Sequence, residues 1–551
     1  MSHPADSIAW KTFDKTHPFF ASESRNVRLA LGTDGFQPFG QTGSQYSLWP
    51  VILTPYNLPP WMCMKDPYMF LTVIVPGPKN PKQNIDVFLQ PLIAELNDLW
   101  VEGISVYDIS RKQNFQLSAA LMWTISDFPA YSMLSGWSTS GHRACPYCME
   151  DSQAFSLKHG RKTSWFDCHM RFLHMNHRFR RDKKNFQKNR MEHSGPPPIL
   201  NGEQILDHLD QFGFKRVFDE DAETVNSKLS KILGWRKRSI FWNLPYWKTN
   251  LIRHNLDVMH IEKNVFDNIF NTIMDVDGKT KDNANARRDL EVLGIRPELW
   301  PRGGKYHKAA FTLEKESREL LLKWLNSLKF PDGYVSNLSR CIDMKKHKLY
   351  GMKSHDCHVF MQRLLPIGLR ELLPRVVWEP LTELSNFFRD LTATVIREVD
   401  MNKYNESIAL TLCKLEMIFP PSFFDSMEYP KYDPFVLAQQ ASQIYFVPFP
   451  SKKKDKVNWR AVMKVRAKKF DISYAITKEA EEDTAFQEDE VEDHEISDDI
   501  EFVEPSRHDP TGAMIPILRE IADDEEEDDD DDDDNDDDEE DDDDDDEEEE
   551  E

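Results

Sequence analysis

Two aspartates each follow a short apolar segment with the pattern of a buried β-strand. Asp34 comes after the apolar residues 29–31, and the glycine behind it lets the chain turn. Asp127 closes the apolar run 115–125 and is followed by Phe-Pro, which breaks the strand. Carboxylates at the ends of neighbouring strands make a hard-oxygen site of the kind that holds Mg²⁺ for phosphoryl transfer. The sequence therefore predicts a magnesium site at these two residues.

The same two aspartates also fit ordinary turns. Asp-Gly and Asp-Phe-Pro are common turn sequences, so the residues alone favour two turn aspartates without a metal. A two-metal site would need a third carboxylate, and Glu416 and Glu383 are the available candidates. Both also fit solvated helix positions, and we prefer that interpretation for Glu383.

Four Cys and His residues have a spacing that suits zinc. Cys145 and Cys148 form a Cys-x₂-Cys pair, and His169 and His177 follow as a His-x₇-His pair. This histidine spacing is wider than the ~3–5 residues usual in zinc fingers. Either His174 or Cys168 could replace one histidine as a ligand. The alternative is a single turn that carries two free thiols.

A basic segment begins shortly after these cysteines. Residues 158–190 contain eleven Lys and Arg but only two Asp, with aromatic residues interleaved. Lys and Arg bind DNA phosphates through counterion release, and aromatic rings stack on unpaired bases. The segment therefore predicts a DNA contact, with a solvated charged loop as the alternative.

Residues 255–266 have the clearest helical pattern in the middle of the chain. In such a helix Asp257 and His260 share one face, because residues three apart lie side by side. An Asp–His pair of this kind orients a reacting group or lends it a metal or proton contact. It also occurs as a purely structural hydrogen bond.

The acidic charge of the chain is concentrated at its end. The 551 residues carry a formal net charge of −27, with 95 acidic residues against 68 Lys and Arg. Residues 523–551 hold 28 of these acids, which leaves 67 for a body that is about neutral. Such a segment cannot bury a core, so we expect a disordered tail over 476–551. Three roles fit such a tail: a solvated segment, a binding segment for histones or other basic protein surfaces, or a screen for the chain's own basic segment.

Cysteine usage and hydropathy narrow the class of protein. Seven cysteines in 551 residues do not form a disulfide framework, which favours a reducing compartment. No apolar run reaches the ~18 residues of a membrane span, and the N-terminus lacks a signal-peptide pattern. We therefore expect a soluble intracellular protein without a membrane partner.

The order of the predicted elements indicates an α/β fold. Strands at 28–34, 48–53 and 68–75 precede a helix at 84–100 and a fourth strand at 115–125. This order is typical of a ribonuclease H-like mixed sheet. The predicted division of the chain is an N-terminal remnant (1–27), the first part of the core (28–140), a Cys/His basic insertion (141–199), a helical region (200–350), a second helical domain (351–427), a strand-rich module (428–475) and the acidic tail (476–551).

Taken together, these segments resemble the transposases of plant CACTA (En/Spm-like) DNA transposons. The resemblance covers residues 15–425 and rests on several motifs in family order. The motifs lie at 33–39 (Thr-Asp-Gly-Phe-Gln-Pro-Phe), 47–51, 56–61, 127–131, 134–137, 145–148 (Cys-Pro-Tyr-Cys), 256–260 (Leu-Asp-Val-Met-His), 352–358 and 415–424. Residues 432–438 resemble a separate C-terminal module of the same elements. Compared with the family, the chain looks N-terminally truncated and internally deleted after residue 424.

The resemblance implies a nuclear DDE-type transposase that cuts and joins DNA at transposon ends with Mg²⁺ or Mn²⁺. It implies Asp34 and Asp127 as metal-binding catalytic acids, with Glu416 as the available third acid. The pair Asp257 and His260 resembles the acid-x-x-His signature of several cut-and-paste transposases. DNA is the implied partner, and an oligomer is compatible with it. The deletion leaves two interpretations open: an active enzyme, or a remnant or domesticated protein that only binds DNA or chromatin.

Overall fold

The structure is a computed structural model of the chain. It describes residues 1–36, 46–186, 190–303, 306–330, 334–335 and 338–425, and the backbone of two strands at 443–448 and 460–465. The predicted acidic tail and residues 37–39 of the first motif lie outside the described residues. Within the described part, no helix combines the length and the apolar character needed to cross a membrane.

The described strands form one five-stranded sheet and several two-stranded hairpins. In chain order they are β1 (Val27–Thr33), β2 (Trp49–Pro55), β3 (Phe70–Val75), β4 (Ile104–Asp108), β5 (Gln113–Leu117), β6 (Ala119–Ser126), β7 (Phe155–Ser156), β8 (Thr163–Ser164), β9 (His254–Leu256), β10 (Ile342–Asp343), β11 (Lys348–Leu349), β12 (Gln443–Pro448) and β13 (Arg460–Val465).

The described α-helices are numbered in chain order. They are α1 (Ile8–Thr16), α2 (Pro18–Ala21), α3 (Pro60–Cys63), α4 (Ile85–Val101), α5 (Phe128–Ser135), α6 (Gly202–Phe212), α7 (Ala222–Leu233), α8 (Val258–Ile273), α9 (Ala284–Leu293), α10 (Lys315–Ser327), α11 (Ser354–Val359), α12 (Leu365–Gly368), α13 (Arg375–Leu391) and α14 (Glu398–Glu416). A short π-helix, Phe360–Leu364, joins α11 to α12.

The five-stranded sheet is mixed, with the order β3-β2-β1-β6-β9. β1, β2 and β3 pair antiparallel, whereas β6 lies parallel to β1 and β9 lies parallel to β6. Strands β1 and β6 are buried along most of their length, which explains their nearly continuous apolar sequences. The predicted α/β class and its mixed sheet are confirmed.

Two hydrophobic cores lie in the described part of the chain. One packs α1 and α4 against the sheet, and α4 contributes Leu89, Leu92 and Leu96 at helical spacing. The other joins residues 166–186 to helices α8–α14. The helices expected after residue 200 and residue 350 are therefore present, with boundaries set by caps and prolines.

Two predicted elements need correction. Residues 113–117 belong to a hairpin with β4, and the sheet strand β6 begins only at Ala119. Residues 254–256 form strand β9, so the helix predicted from residue 255 begins at Val258. A three-residue strand carries too few alternating positions to be seen in the sequence, and its parallel pairing with β6 decides its conformation.

A buried ion pair fixes α4 against the segment that precedes β9. Asp86 and Lys237 are both fully buried, and Lys237 Nζ lies 2.7 Å from Asp86 Oδ1. Lys237 also donates to the Gln83 carbonyl, and the Ile240 N–H donates to Asp86 Oδ2. Burial raises the pKa of Asp86 and lowers that of Lys237, so each charge depends on the other.

We expect Lys237→Met to destabilise the fold by about 3–5 kcal/mol, because it leaves the Asp86 charge buried without a partner. The double variant Asp86→Leu/Lys237→Met should lose less, since neither charge is then buried. Urea unfolding measures both. Arg375→Gln, which removes an exposed ion pair with Glu379, is the control and should leave stability almost unchanged. A single variant as stable as the double variant would contradict the coupling.

Candidate active site

Three neighbouring parallel strands of the sheet each end in an aspartate. Asp34 follows β1, Asp127 follows β6 and Asp257 follows β9. The strands are in register at this edge, because Gly32 pairs with Ile125 and Ser126 pairs with Leu256. Main-chain pairing thus brings the three aspartates to one edge of the sheet.

Helix caps hold two of these carboxylates. Asp127 Oδ1 accepts the Ala130 N–H at 2.9 Å and caps α5. Asp257 Oδ1 accepts the Met259 N–H at 2.9 Å and caps α8, and its own N–H donates to the Ser126 carbonyl. Asp is a favoured residue at such N-caps, so the sequence determines both strand ends locally. Asp34 is exposed and accepts the Gly35 N–H.

The electrostatics of Asp127 show that the charges of this edge act on one another. Burial raises the pKa of Asp127, and the negative charges of Asp34 and Asp257 raise it further. The Ala130 N–H and the charge of His260 act in the opposite direction. The structure therefore brings together Asp34, Asp127, Asp257 and His260. We call these four residues the acidic edge.

His260 lies one turn into α8, three residues after Asp257. Its ring is partly exposed, and within the described part of the chain it makes no hydrogen bond. Its imidazole is therefore available to a ligand at the acidic edge.

Glu416 and Glu383 lie in other surroundings. Glu416 ends α14 and is fully buried, with Oε1 2.6 Å from His169 Nδ1 and 2.8 Å from the Asp167 nitrogen. Glu383 is half-buried and accepts hydrogen bonds from Thr411 and Lys414. The charges acting on Asp127 do not include either glutamate. The third acid that the structure adds to Asp34 and Asp127 is Asp257.

The sequence already contained a signal for the position of Asp257. An Asp directly before an apolar helical pattern is a helix-start signal. If a strand ended just before it, Asp257 would follow a strand in the same way as Asp34 and Asp127 do. The predicted helix over 255–266 concealed this, because it placed Asp257 inside a helix.

The side chains at the acidic edge do not yet surround a common point. In the part of the chain that the structure describes, no three His, Cys, Asp or Glu side chains are arranged to hold one metal ion. The caps occupy one oxygen each of Asp127 and Asp257 and leave the other oxygen available. The carboxylates would have to change position before they could share a cation.

The predicted Cys and His ligands divide into two places. The Cys148 N–H donates to Cys145 Sγ at 3.3 Å, and both cysteines line a cavity with Cys168 and His169. Interaction with Cys148 and burial raise the pKa of the Cys145 thiol. His177 is not among the residues lining this cavity, and its Nδ1 accepts the Phe179 N–H.

The basic segment is largely a folded part of the protein. Arg171 and Arg180 are buried and donate to main-chain carbonyls such as those of Gly195 and Leu173. The aromatic residues 165, 166 and 179 are core residues, so they are not exposed for stacking on bases. Among the described residues of this segment, the exposed basic ones are Lys158, Arg161, Lys162, Arg178, Arg181, Lys183, Lys184 and Arg190.

Two family models match the chain. Residues 1–212 match the model of transposase family tnp2. These residues are similar to a transposase-family domain. This domain supports a transposase-derived protein, and it includes β1, β6 and two of the aspartates. Residues 391–441 match a domain of unknown function, DUF4218, which begins at the end of α13. No curated protein matches the chain.

We expect Asp127→Asn to raise the thermal stability of the metal-free protein by a few degrees at pH 7–8. The raised pKa means that the folded protein holds this proton more tightly than the unfolded chain. The wild-type protein therefore loses stability as the pH rises through the pKa of Asp127 in the folded state. The Asp127→Asn variant carries no charge at this cap and does not share that loss. The melting temperature of both proteins between pH 4 and pH 8 measures the difference, which should grow with pH.

The matched control is Asp343→Asn. Asp343 accepts N–H groups of Lys345 and Lys346, and the latter hydrogen bond lowers its pKa. Because its pKa is lowered, the Asp343 carboxylate stabilises the fold at a pH above the ordinary pKa of an aspartate. The Asp343→Asn variant should therefore lose stability at neutral pH. A difference between Asp127→Asn and wild type that does not vary with pH would contradict a raised pKa of Asp127 in the folded protein.

Proposed function

We propose that the protein is a metal-dependent DNA nuclease and strand-transfer enzyme of the DDE transposase type, with Asp34, Asp127 and Asp257 as its metal-binding acids. The observation that carries the proposal is the convergence of three aspartates at the ends of three adjoining parallel strands. The match to transposase family tnp2 supports DNA as the substrate. The proposal includes a ribonuclease H-like assignment for the sheet, a CACTA (En/Spm-like) origin and action in the nucleus.

The donor set at the acidic edge fits Mg²⁺ or Mn²⁺. Carboxylate oxygens are the ligands these ions prefer. Burial raises the pKa of Asp127, the charges of Asp34 and Asp257 raise it further, and a cation would offset both effects. When bound, the metal would supply Lewis-acid activation of water and of the leaving oxygen.

The chain's own residues would position this chemistry. The caps of α5 and α8 orient the carboxylates of Asp127 and Asp257. His260, one turn into α8, would accept or donate a proton at the scissile phosphate or hold one of its oxygens. Exposed Lys and Arg of residues 158–190 would hold the DNA backbone.

The test is Mg²⁺- or Mn²⁺-dependent nicking of DNA that carries transposon-end sequence. We expect Asp34→Asn and Asp257→Asn each to lower the nicking rate on the order of a hundredfold or more, because each removes a charged metal ligand. Glu383→Gln is the control and should nick as fast as wild type, since Glu383 serves a helix–helix contact. Loss of nicking in the control but not in Asp257→Asn would assign the third acid elsewhere.

The second candidate function is DNA or chromatin binding without cleavage, by a remnant or domesticated transposase. It is favoured by the side chains of the described residues, which do not converge on one metal position. Sequence-independent DNA binding that is unchanged by Mg²⁺ and by Asp34→Asn, with no nicking by wild type, would establish it.

We also propose a structural zinc ion on Cys145, Cys148, Cys168 and His169, the four predicted ligand candidates that line one cavity. Thiol and imidazole ligands in a tetrahedral set suit zinc. Glu416 Oε1 lies 2.6 Å from His169 Nδ1, which would fix that nitrogen as the donor and leave Nε2 for the metal. Glu416 would then position a zinc ligand.

We expect the purified protein to contain about one zinc per chain and to lose it to EDTA or to Cys145→Ser. Loss of zinc should speed limited proteolysis within residues 140–195, because metal binding contributes folding free energy there. Elemental analysis and proteolysis with mass spectrometry measure both effects. Cys341→Ser, at a buried cysteine outside the proposed ligands, is the control. Unchanged proteolysis after zinc removal would contradict a structural role.

A further inference from the structure

A cavity of about 330 Å³ lies between α5, the residues before β9 and the Cys/His region. This volume is within the range of small-molecule sites and far exceeds the space of one metal ion. Tyr131, four residues after Asp127, lines it, and so do Arg253 and His254, just before Asp257. The cavity is therefore lined by α5 and by the first residue of β9, two elements that also carry aspartates of the acidic edge.

Arg253 is the only Lys, Arg, Asp or Glu among the described residues that line the cavity. One of its nitrogens donates to the Asn250 carbonyl at 2.8 Å, and no described carboxylate forms an ion pair with it. Burial lowers its pKa to about 10, so the guanidinium still carries its charge at neutral pH. A half-buried cation without an acidic partner is costly, and an anion in the cavity would offset that cost.

The remaining walls are mainly aromatic and apolar. Trp137, Trp235 and Tyr131 are almost fully buried, whereas Trp242 and Phe172 are half-buried and present ring surface to the cavity. The Arg253 guanidinium lies 6.0 Å from the centre of a Trp242 ring. Flat aromatic surfaces favour a flat aromatic ligand, because stacking and edge contacts add to simple burial.

We propose that this cavity binds a nucleotide, with its phosphate at Arg253 and its base against the half-buried rings of Trp242 and Phe172. The cavity combines the Arg253 cation with aromatic rings, so it suits a ligand that is both anionic and planar. The ligand is either a free nucleotide or one turned out of a DNA strand, and the second source rests on the proposed function. Enzymes that act on DNA accept the unstacking energy of a few kcal/mol that turning out a base requires.

The experiment is calorimetric titration of the full chain with deoxyadenosine 5′-monophosphate, deoxyadenosine and inorganic phosphate, without added Mg²⁺. We expect the monophosphate to bind about tenfold or more tightly than either fragment, since only it satisfies both Arg253 and the rings. Arg253→Gln should reduce its affinity to that of deoxyadenosine and leave deoxyadenosine binding unchanged. Phosphate binding as tightly as the monophosphate, or no binding of the monophosphate, would overturn the proposal.

Two further variants keep the test decisive if Arg253→Gln folds poorly. Leu251 is half-exposed at the cavity, so Leu251→Glu places a negative charge there without disturbing the core and should weaken monophosphate binding by a similar factor. Arg302→Gln is the matched control, because Arg302 is an exposed arginine that also donates to a carbonyl, but outside the cavity. Equal loss in Arg302→Gln would contradict a specific site.

Two DNA duplexes distinguish the source of the nucleotide. One is fully paired and the other carries one unpaired 2-aminopurine, whose fluorescence reports stacking on protein rings. Quenching that deoxyadenosine 5′-monophosphate reverses would assign the site to a nucleotide turned out of DNA, and monophosphate binding without such quenching would assign it to a free nucleotide. Asp34→Asn should bind the monophosphate like wild type, so a failure of the nuclease proposal remains separate from a failure of this one.

Discussion

The parallel pairing of β1, β6 and β9 is the constraint on which the rest of the structure depends. Residues far apart in the chain reach the same sheet edge only because these strands run in the same direction and end in register. A shift by one residue would turn Asp127 to the opposite face of the sheet and separate it from Asp34. The long segments between the strands therefore serve to return the chain in the same direction.

The parallel pairing of the three strands has an electrostatic cost, because it brings negatively charged side chains close together. Three carboxylates and a histidine share one edge, and burial with two like charges raises the pKa of Asp127. N-cap hydrogen bonds offset part of that cost, because the first turns of α5 and α8 offer N–H groups to Asp127 and Asp257. The caps thus keep acids in a place where mutual repulsion would otherwise disfavour them. Acids whose pKa is raised by burial and by neighbouring charges often belong to functional sites.

Much of the sheet could be predicted from the sequence, whereas part of the candidate site could not. The strands β1, β2 and β3 and the helix α4 carry strong periodic patterns over six or more residues, and the structure has them close to the predicted bounds. The strand β9 has three residues and no pattern of its own, so its existence depends on contacts with β6. The sequence predicts Asp257 as a candidate together with His260, but without β9 its place at the end of a third strand could not be predicted. The sequence around a three-residue strand does not show that the strand exists, so it does not show which acid the strand brings to the sheet edge.

The position of Glu416 shows what the C-terminal helices contribute. Glu416 is fully buried at the end of α14, and it contacts His169 and the Asp167 N–H of a segment about 250 residues earlier. Arg296 donates to the Glu416 carbonyl and to those of the two residues before Pro420, which ties the same helix end to α9 and its following turn. A carboxylate held by these contacts cannot also reach the acidic edge. Helix α14 therefore packs against the Cys/His region, whereas all three acids of the acidic edge follow strands of the sheet.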